Sequence, residues 1–168
     1  MTKFIDIARK HIGPPVAVDK IIEEMDIELE LDAFLDDEIS GELERKKDGK
    51  FRISANATHS ERRKRFTIAH ELGHYMLHAH LVGDGVDDNR AYRSEPNGNF
   101  HNRAIRRRHE TEANRFAAQL LMPHRMIRKR AETGVSIKEL ADKFKVSKDA
   151  MTIRLETLNI KHDGTKVL

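Results

Sequence analysis

The 168-residue sequence has no cysteine, no tryptophan, 2 tyrosines and 4 prolines. Without thiols there are no disulfides, no thiolate metal sites and no cysteine nucleophile, so any metal must be held by His, Asp or Glu. No apolar run approaches the roughly 18 residues of a membrane-spanning helix. Met1 to Val16 holds no apolar stretch of signal-peptide length, so a cytoplasmic protein is expected, with no membrane association. A large excess of one charge is missing too. Lys and Arg number 31 against 28 Asp and Glu, a net +3 with His neutral, too little by itself to argue for nucleic-acid binding.

What is present is a chain with 38 % apolar and 35 % charged residues. That suits one modest core beneath a well-solvated surface. Basic residues gather at Arg62-Arg63-Lys64-Arg65, Arg106-Arg107-Arg108 and Arg128-Lys129-Arg130. Such runs read either as solvated faces near helix ends or as a basic surface for an acidic partner.

Periodicity organises the rest. Thr2 to Lys10 has a weak helical pattern that Gly13-Pro14-Pro15 ends. Val18 to Met25 reads as a short helix. Ile27 to Leu31, Ile39 to Leu43 and Phe51 to Ala55 read as strands, the last two joined across the hairpin signal Asp48-Gly49. A small, mainly antiparallel sheet is the economical arrangement. Ser60 caps a helix with Glu61 in its first turn, running to about His80. Val82 to Arg108, with Gly83, Gly85, Pro96 and Gly98, reads as a loop of unusual length. Helical periodicity returns from His109 to Met122 and stops at Pro123. A helix over about His124 to Glu132 closes at Gly134. Ser136 and Ser147 cap two more, reaching Phe144 and about Leu158.

The chemistry concentrates in His70-Glu71-Leu72-Gly73-His74, an H-E-x-x-H motif inside the longest amphipathic helix. Residues four apart lie one turn above each other on one helix face, so both imidazoles can converge on one ion while Glu71 projects beside them. The motif is short and the chain has 10 histidines, so placement on a helix carries much of its weight. Catalytic zinc usually has three protein ligands and an open position. Glu110, which opens the second long helix, is the best third candidate. Ala113 and Ala117 on that helix and Gly73 on the first are small, which favours the close packing that would bring Glu110 in. Asn114, one turn below Glu110, is placed to hydrogen-bond a ligating imidazole. Glu112 competes for the third position but points to nearly the opposite side of the helix. His78 lies one turn beyond His74, where drift of the face makes three ligands on one straight helix difficult. It reads better as a packed or hydrogen-bonded histidine. His80, His101 and His109 are weaker candidates.

Arg65-Phe66-Thr67-Ile68-Ala69-His70-Glu71-Leu72-Gly73-His74-Tyr75-Met76-Leu77-His78 resembles the signature helix of the ImmA/IrrE family of metallopeptidases. Glu110-Thr111-Glu112-Ala113-Asn114-Arg115-Phe116-Ala117-Ala118-Gln119-Leu120-Leu121-Met122-Pro123 is similar to that family's second signature. Weaker similarity extends from about Pro15 to Leu158. The resemblance implies an α+β, zincin-like metallopeptidase domain: a small mainly antiparallel sheet, two ligand-bearing helices and a C-terminal helix-turn-helix-like segment. It implies Zn2+ on His70, His74 and Glu110, with Glu71 as general base. It also implies the short kind of member, which cleaves a cytoplasmic helix-turn-helix repressor of a prophage, mobile element or stress regulon. A partner that sequesters such a regulator without cutting it is the alternative. Tyr92 and His101, in the long loop, are candidates for donating to the oxyanion or the substrate.

Residues 1–134 are therefore expected to form the peptidase domain, and 135–168 a helix-turn-helix-like segment packed on the same core. In that segment Ala141 falls where two helices cross, Val146 and Ser147 form the turn, and Met151 faces the core. Lys145 takes the turn position where positive φ favours glycine. The presumed recognition helix would expose Lys148, Asp149, Thr152 and Glu156. Two of these four are acidic and repelled by phosphate, so direct DNA binding is possible but not favoured.

Overall fold

The computed structural model describes residues 2–82, 105–131 and 134–168, with the backbone of 92–94. Among these residues the elements run α1 (Thr2–His11), α2 (Val18–Glu24), β1 (Glu28–Ala33), β2 (Gly41–Arg45), β3 (Phe51–Asn56), α3 (Glu61–His78), β4 (Tyr92–Ser94), α4 (Arg107–Leu121), α5 (His124–Ala131), α6 (Ile137–Phe144) and α7 (Lys148–Thr157). A single 3₁₀ turn, Ala79–Leu81, follows α3. No helix among the described residues is long and apolar enough to cross a membrane.

The strands form one sheet in the order β1-β3-β2-β4. β2 and β3 make the expected antiparallel hairpin, with Leu43 opposite Ile53. Gly49 supplies the turn's positive φ of 82°, which a residue without Cβ adopts cheaply. β1 instead lies parallel to β3, because the chain crosses over before β2 and returns on the far side of β3. Buried Asn56 pins that crossing. Its amide Nδ2 donates to the carbonyls of Leu35, Asp36 and Ile39 at 3.2, 3.1 and 2.8 Å. Two of three pairings are antiparallel, as the α+β zincin-like reading requires. β4 lies inside the expected loop and pairs antiparallel with Gly41 to Leu43. Three residues are too few to show a period, so only the partner strand reveals it.

α3 packs between the sheet and α4. A Cβ on Gly41 would collide with Thr67 Cγ2 of α3 and would lie 2.8 Å from the Ser54 carbonyl oxygen. A Cβ on Gly73 would meet Ala113 Cα at 3.1 Å and its carbonyl oxygen at 3.2 Å. Two glycines thus set how closely α3 approaches β2 on one side and α4 on the other. The apolar core is continuous, from Ile21, Leu43 and Ile53 through Ile68 and Leu72 to Leu121, Ile127, Phe144 and Leu155.

The first basic run is committed to structure, which neither of its two readings anticipated. Arg62 donates to Asp142 at 2.6 Å and to the Val146 carbonyl at 3.0 Å. Arg63 donates to Ser40 Oγ at 2.9 Å, buried Lys64 to Asp32 at 2.6 Å, and Arg65 to the Val16 carbonyl at 2.8 Å. These four cations fasten the start of α3 to β1, α6 and the approaches to β2 and α2. In the C-terminal pair, Lys145 sits at φ +52°, and the Val146 amide donates to the Ala141 carbonyl at 3.0 Å. Ala141 and Met151 are buried.

Candidate metal centre

α3 begins where Ser60 Oγ accepts from the Arg63 amide at 3.4 Å. Its buried face carries an unusual share of polar groups: Lys64, Thr67, His70, Glu71, His74 and His78. One helical turn brings His70 Nε2 and His74 Nε2 to 3.1 Å from each other. Close packing of α4 over Gly73 then delivers Glu110. Its Oε1 lies 3.1 Å from His74 Nε2 and its Oε2 3.3 Å from His70 Nε2. These three side chains can hold a metal ion, one ligand atom each. The donor chemistry fits. Burial pushes the His74 imidazole down to about 4, helped by His70 and His78 and opposed by Glu110, so the ring is a neutral donor at physiological pH.

Further groups surround the trio. His70 Nδ1 and Asn114 Oδ1 are 2.9 Å apart, on the side away from Glu110. His74 Nδ1 is 3.1 Å from His78 Nδ1, and His78 Nε2 is 2.8 Å from Glu112 Oε2. The bond from His78 holds the Glu112 carboxyl below the usual range. Glu71 is completely buried, and neither of its carboxylate oxygens has a hydrogen-bond partner. Burial pushes its carboxyl well above the ordinary range, and the carboxylates of Glu110 and Glu42 push it the same way. An ionised side chain left in that condition is costly unless a cation or substrate proton answers it.

Of the residues singled out in the sequence, His70, Glu71, His74, Glu110 and Asn114 are brought together. The Tyr92 side chain and His101 lie outside the described residues. His80 is exposed. The buried ring of His109 accepts the Arg106 amide proton at 3.1 Å, capping α4, and packs at a tilt against His78 with centroids 4.7 Å apart. Glu112 is no third ligand here, but its link to His78 escaped the sequence reading. The available signal was the four-residue step His74 to His78, which continues the motif's face by one turn. A separate groove of about 530 Å³ lies between the start of α3 and α7, lined by Arg62, Phe66, Val146 and Ile153 among others, away from these groups.

Residues 35–156, well over half of the chain, match the family model described as the IrrE N-terminal-like domain, Peptidase M78. No curated protein matches the chain.

Proposed function

The chain belongs to the IrrE N-terminal-like family of M78 metallopeptidases, and on that premise we propose that it is a zinc-dependent endopeptidase acting on a cytoplasmic helix-turn-helix repressor. The observation that carries the catalytic reading is the convergence of two imidazole Nε2 atoms and one carboxylate within 3.1 to 3.3 Å, beside a buried carboxyl with no partner. His70, His74 and Glu110 are the ligands in this reading and Glu71 is the general base. When bound, zinc supplies Lewis acidity and lowers the pKa of water towards ~7. Asn114 holds His70 through Nδ1, leaving Nε2 for the ion. Glu71 takes the proton from the attacking water at its carboxylate and returns it to the departing amine.

A substrate segment enters as an extended strand on the β2–β4 side of the sheet. The support is position: β2 passes so near α3 that a Cβ on Gly41 would lie 3.6 Å from Glu71 Cγ. The resemblance of the two signature segments to repressor-cleaving relatives supports the choice of substrate. DNA binding stays unfavoured, since α7 exposes Asp149 and Glu156 along with Lys148.

The test combines metal analysis with incubation against candidate helix-turn-helix repressors from the same genome. One equivalent of zinc and a discrete cleavage that stops with chelator or with Glu71→Gln are expected. Stable binding of the repressor without a cut, in the zinc-loaded protein, would replace the peptidase with a sequestering partner.

A further inference from the structure

Both ligand histidines have a second ring nitrogen, and the two are handled differently. His70 Nδ1 faces an amide oxygen, Asn114 Oδ1, at 2.9 Å. An amide oxygen only accepts, so His70 carries its proton on Nδ1 and presents a lone pair at Nε2. His74 Nδ1 faces another imidazole nitrogen, His78 Nδ1, at 3.1 Å. That contact alone leaves the direction open, since either nitrogen can hold the proton. Glu112 resolves it. Its carboxylate, 2.8 Å from His78 Nε2, accepts and cannot donate, so a His78 ring that carries one proton holds it on Nε2. His78 Nδ1 is then an acceptor, and His74 must donate from Nδ1.

We propose that Glu112 and His78 are positioning residues: a carboxylate–imidazole relay that fixes His74 with its Nε2 lone pair toward the metal position, as Asn114 does for His70. The inference rests on the metal-binding reading above and deepens it. Position supports it further. His78 is 3 % exposed and His74 fully buried, so no water competes for the bond between them. The His109 ring also packs against His78, with centroids 4.7 Å apart. The half-exposed Glu112 side chain reaches inward to a buried ring although its neighbours Thr111 and Arg115 face solvent. Outer groups of this kind set the tautomer and basicity of a ligating histidine, and their loss typically lowers metal affinity by about 10- to 100-fold.

The experiment is a competition of the full chain against a chelating indicator, with Zn2+ and with Co2+. His78→Leu is expected to weaken binding by about 10- to 100-fold and Glu112→Ala by about tenfold. His78→Asn places an amide oxygen near the former Nδ1 and accepts from His74 without help from Glu112. It should bind close to wild type, and adding Glu112→Ala to it should change nothing more. Thermal melts of the metal-free variants verify that each is folded. Wild-type affinity in folded His78→Leu would overturn the relay. So would an equal Glu112→Ala loss in the wild-type and His78→Asn backgrounds, or His78→Asn binding as weakly as His78→Leu. A wild-type chain that takes up no metal, or His74→Ala binding as tightly as wild type, would bring down the metal site itself and the relay with it.

Discussion

α3–α4 and α6–α7 are both helix pairs on one continuous core, yet α3 buries far more polar groups than either helix of the second pair. α6 and α7 hide Ile137, Leu140, Ala141, Phe144, Met151 and Leu155, with Arg154 the polar exception. Their N-termini are capped by Ser136 and Ser147, whose hydroxyls accept from the Glu139 and Ala150 amides at 3.1 Å. α3 hides three histidines, a glutamate, a lysine and a threonine. The C-terminal pair is arranged as stability alone would arrange it. α3 gives up apolar burial along one face and leaves Glu71 without a partner, and a deficit of that kind marks a candidate place for a fold's chemistry.

The contrast is broken most forcefully at Glu71. In Glu71→Gln, peptide cleavage should fall by about 10²- to 10⁴-fold while zinc remains bound; retained cleavage refutes the assigned base. The same variant should be more stable than wild type when metal-free, by an amount that depends on pH. Because the folded state raises the Glu71 pKa from 4.5, the stability it contributes is present below about 4.5 and is lost as pH rises through the raised folded value. His74, depressed to about 4, acts in the opposite sense but equally in both proteins. The gap in melting temperature should therefore widen as pH rises above about 4.5; a gap independent of pH would contradict the buried, unsatisfied state of Glu71.

Phe144→Ala strikes the other pair. The ring is fully buried, so a loss of about 3–5 kcal/mol is expected in denaturant melts, with zinc stoichiometry of the folded fraction unchanged. Gly73→Ala tests the joint between α3 and α4. A methyl group 3.1 Å from Ala113 Cα should cost about 1–3 kcal/mol and also weaken metal binding, because pushing α4 away withdraws Glu110; undiminished affinity would detach the carboxylate's position from the helix spacing. The smallest effect is a gain. Lys145→Gly relieves a left-handed backbone at φ +52°, less the entropy of freeing glycine in the unfolded chain, and should stabilise by about 0.5 kcal/mol.

Much of this was legible in the sequence for reasons that vary by element. The 3.6-residue period and the serine caps located α3, α6 and α7, since those signals are local. The convergence of His70, His74 and Glu110 followed from a four-residue step and from small residues at 73, 113 and 117, whose meaning is steric. The parallel placement of β1 and the existence of β4 did not follow, because strand pairing is decided by partners distant in sequence. The structural role of the Arg62 to Arg65 run, which reads as solvated charge or as a surface for an acidic partner, is hidden for the same reason: its acceptors, from Val16 to Val146, are scattered along the chain. Glu112 was dismissed as facing away from the ligands, and only the intervening imidazole of His78 shows that a residue on the wrong face can still reach them.

Arg154 reaches back from α7 to donate from Nε to the Met122 carbonyl at 3.1 Å, the residue that ends α4. Arg128 of α5 returns the favour across the joint, donating to the Leu158 carbonyl at 3.1 Å. A truncation after Gly134 would therefore leave the last turn of α4 without its clasp and remove Ile137, Phe144, Met151 and Leu155 from the continuous core. Anyone trimming the chain to a minimal peptidase fragment should expect to lose soluble material before losing a ligand.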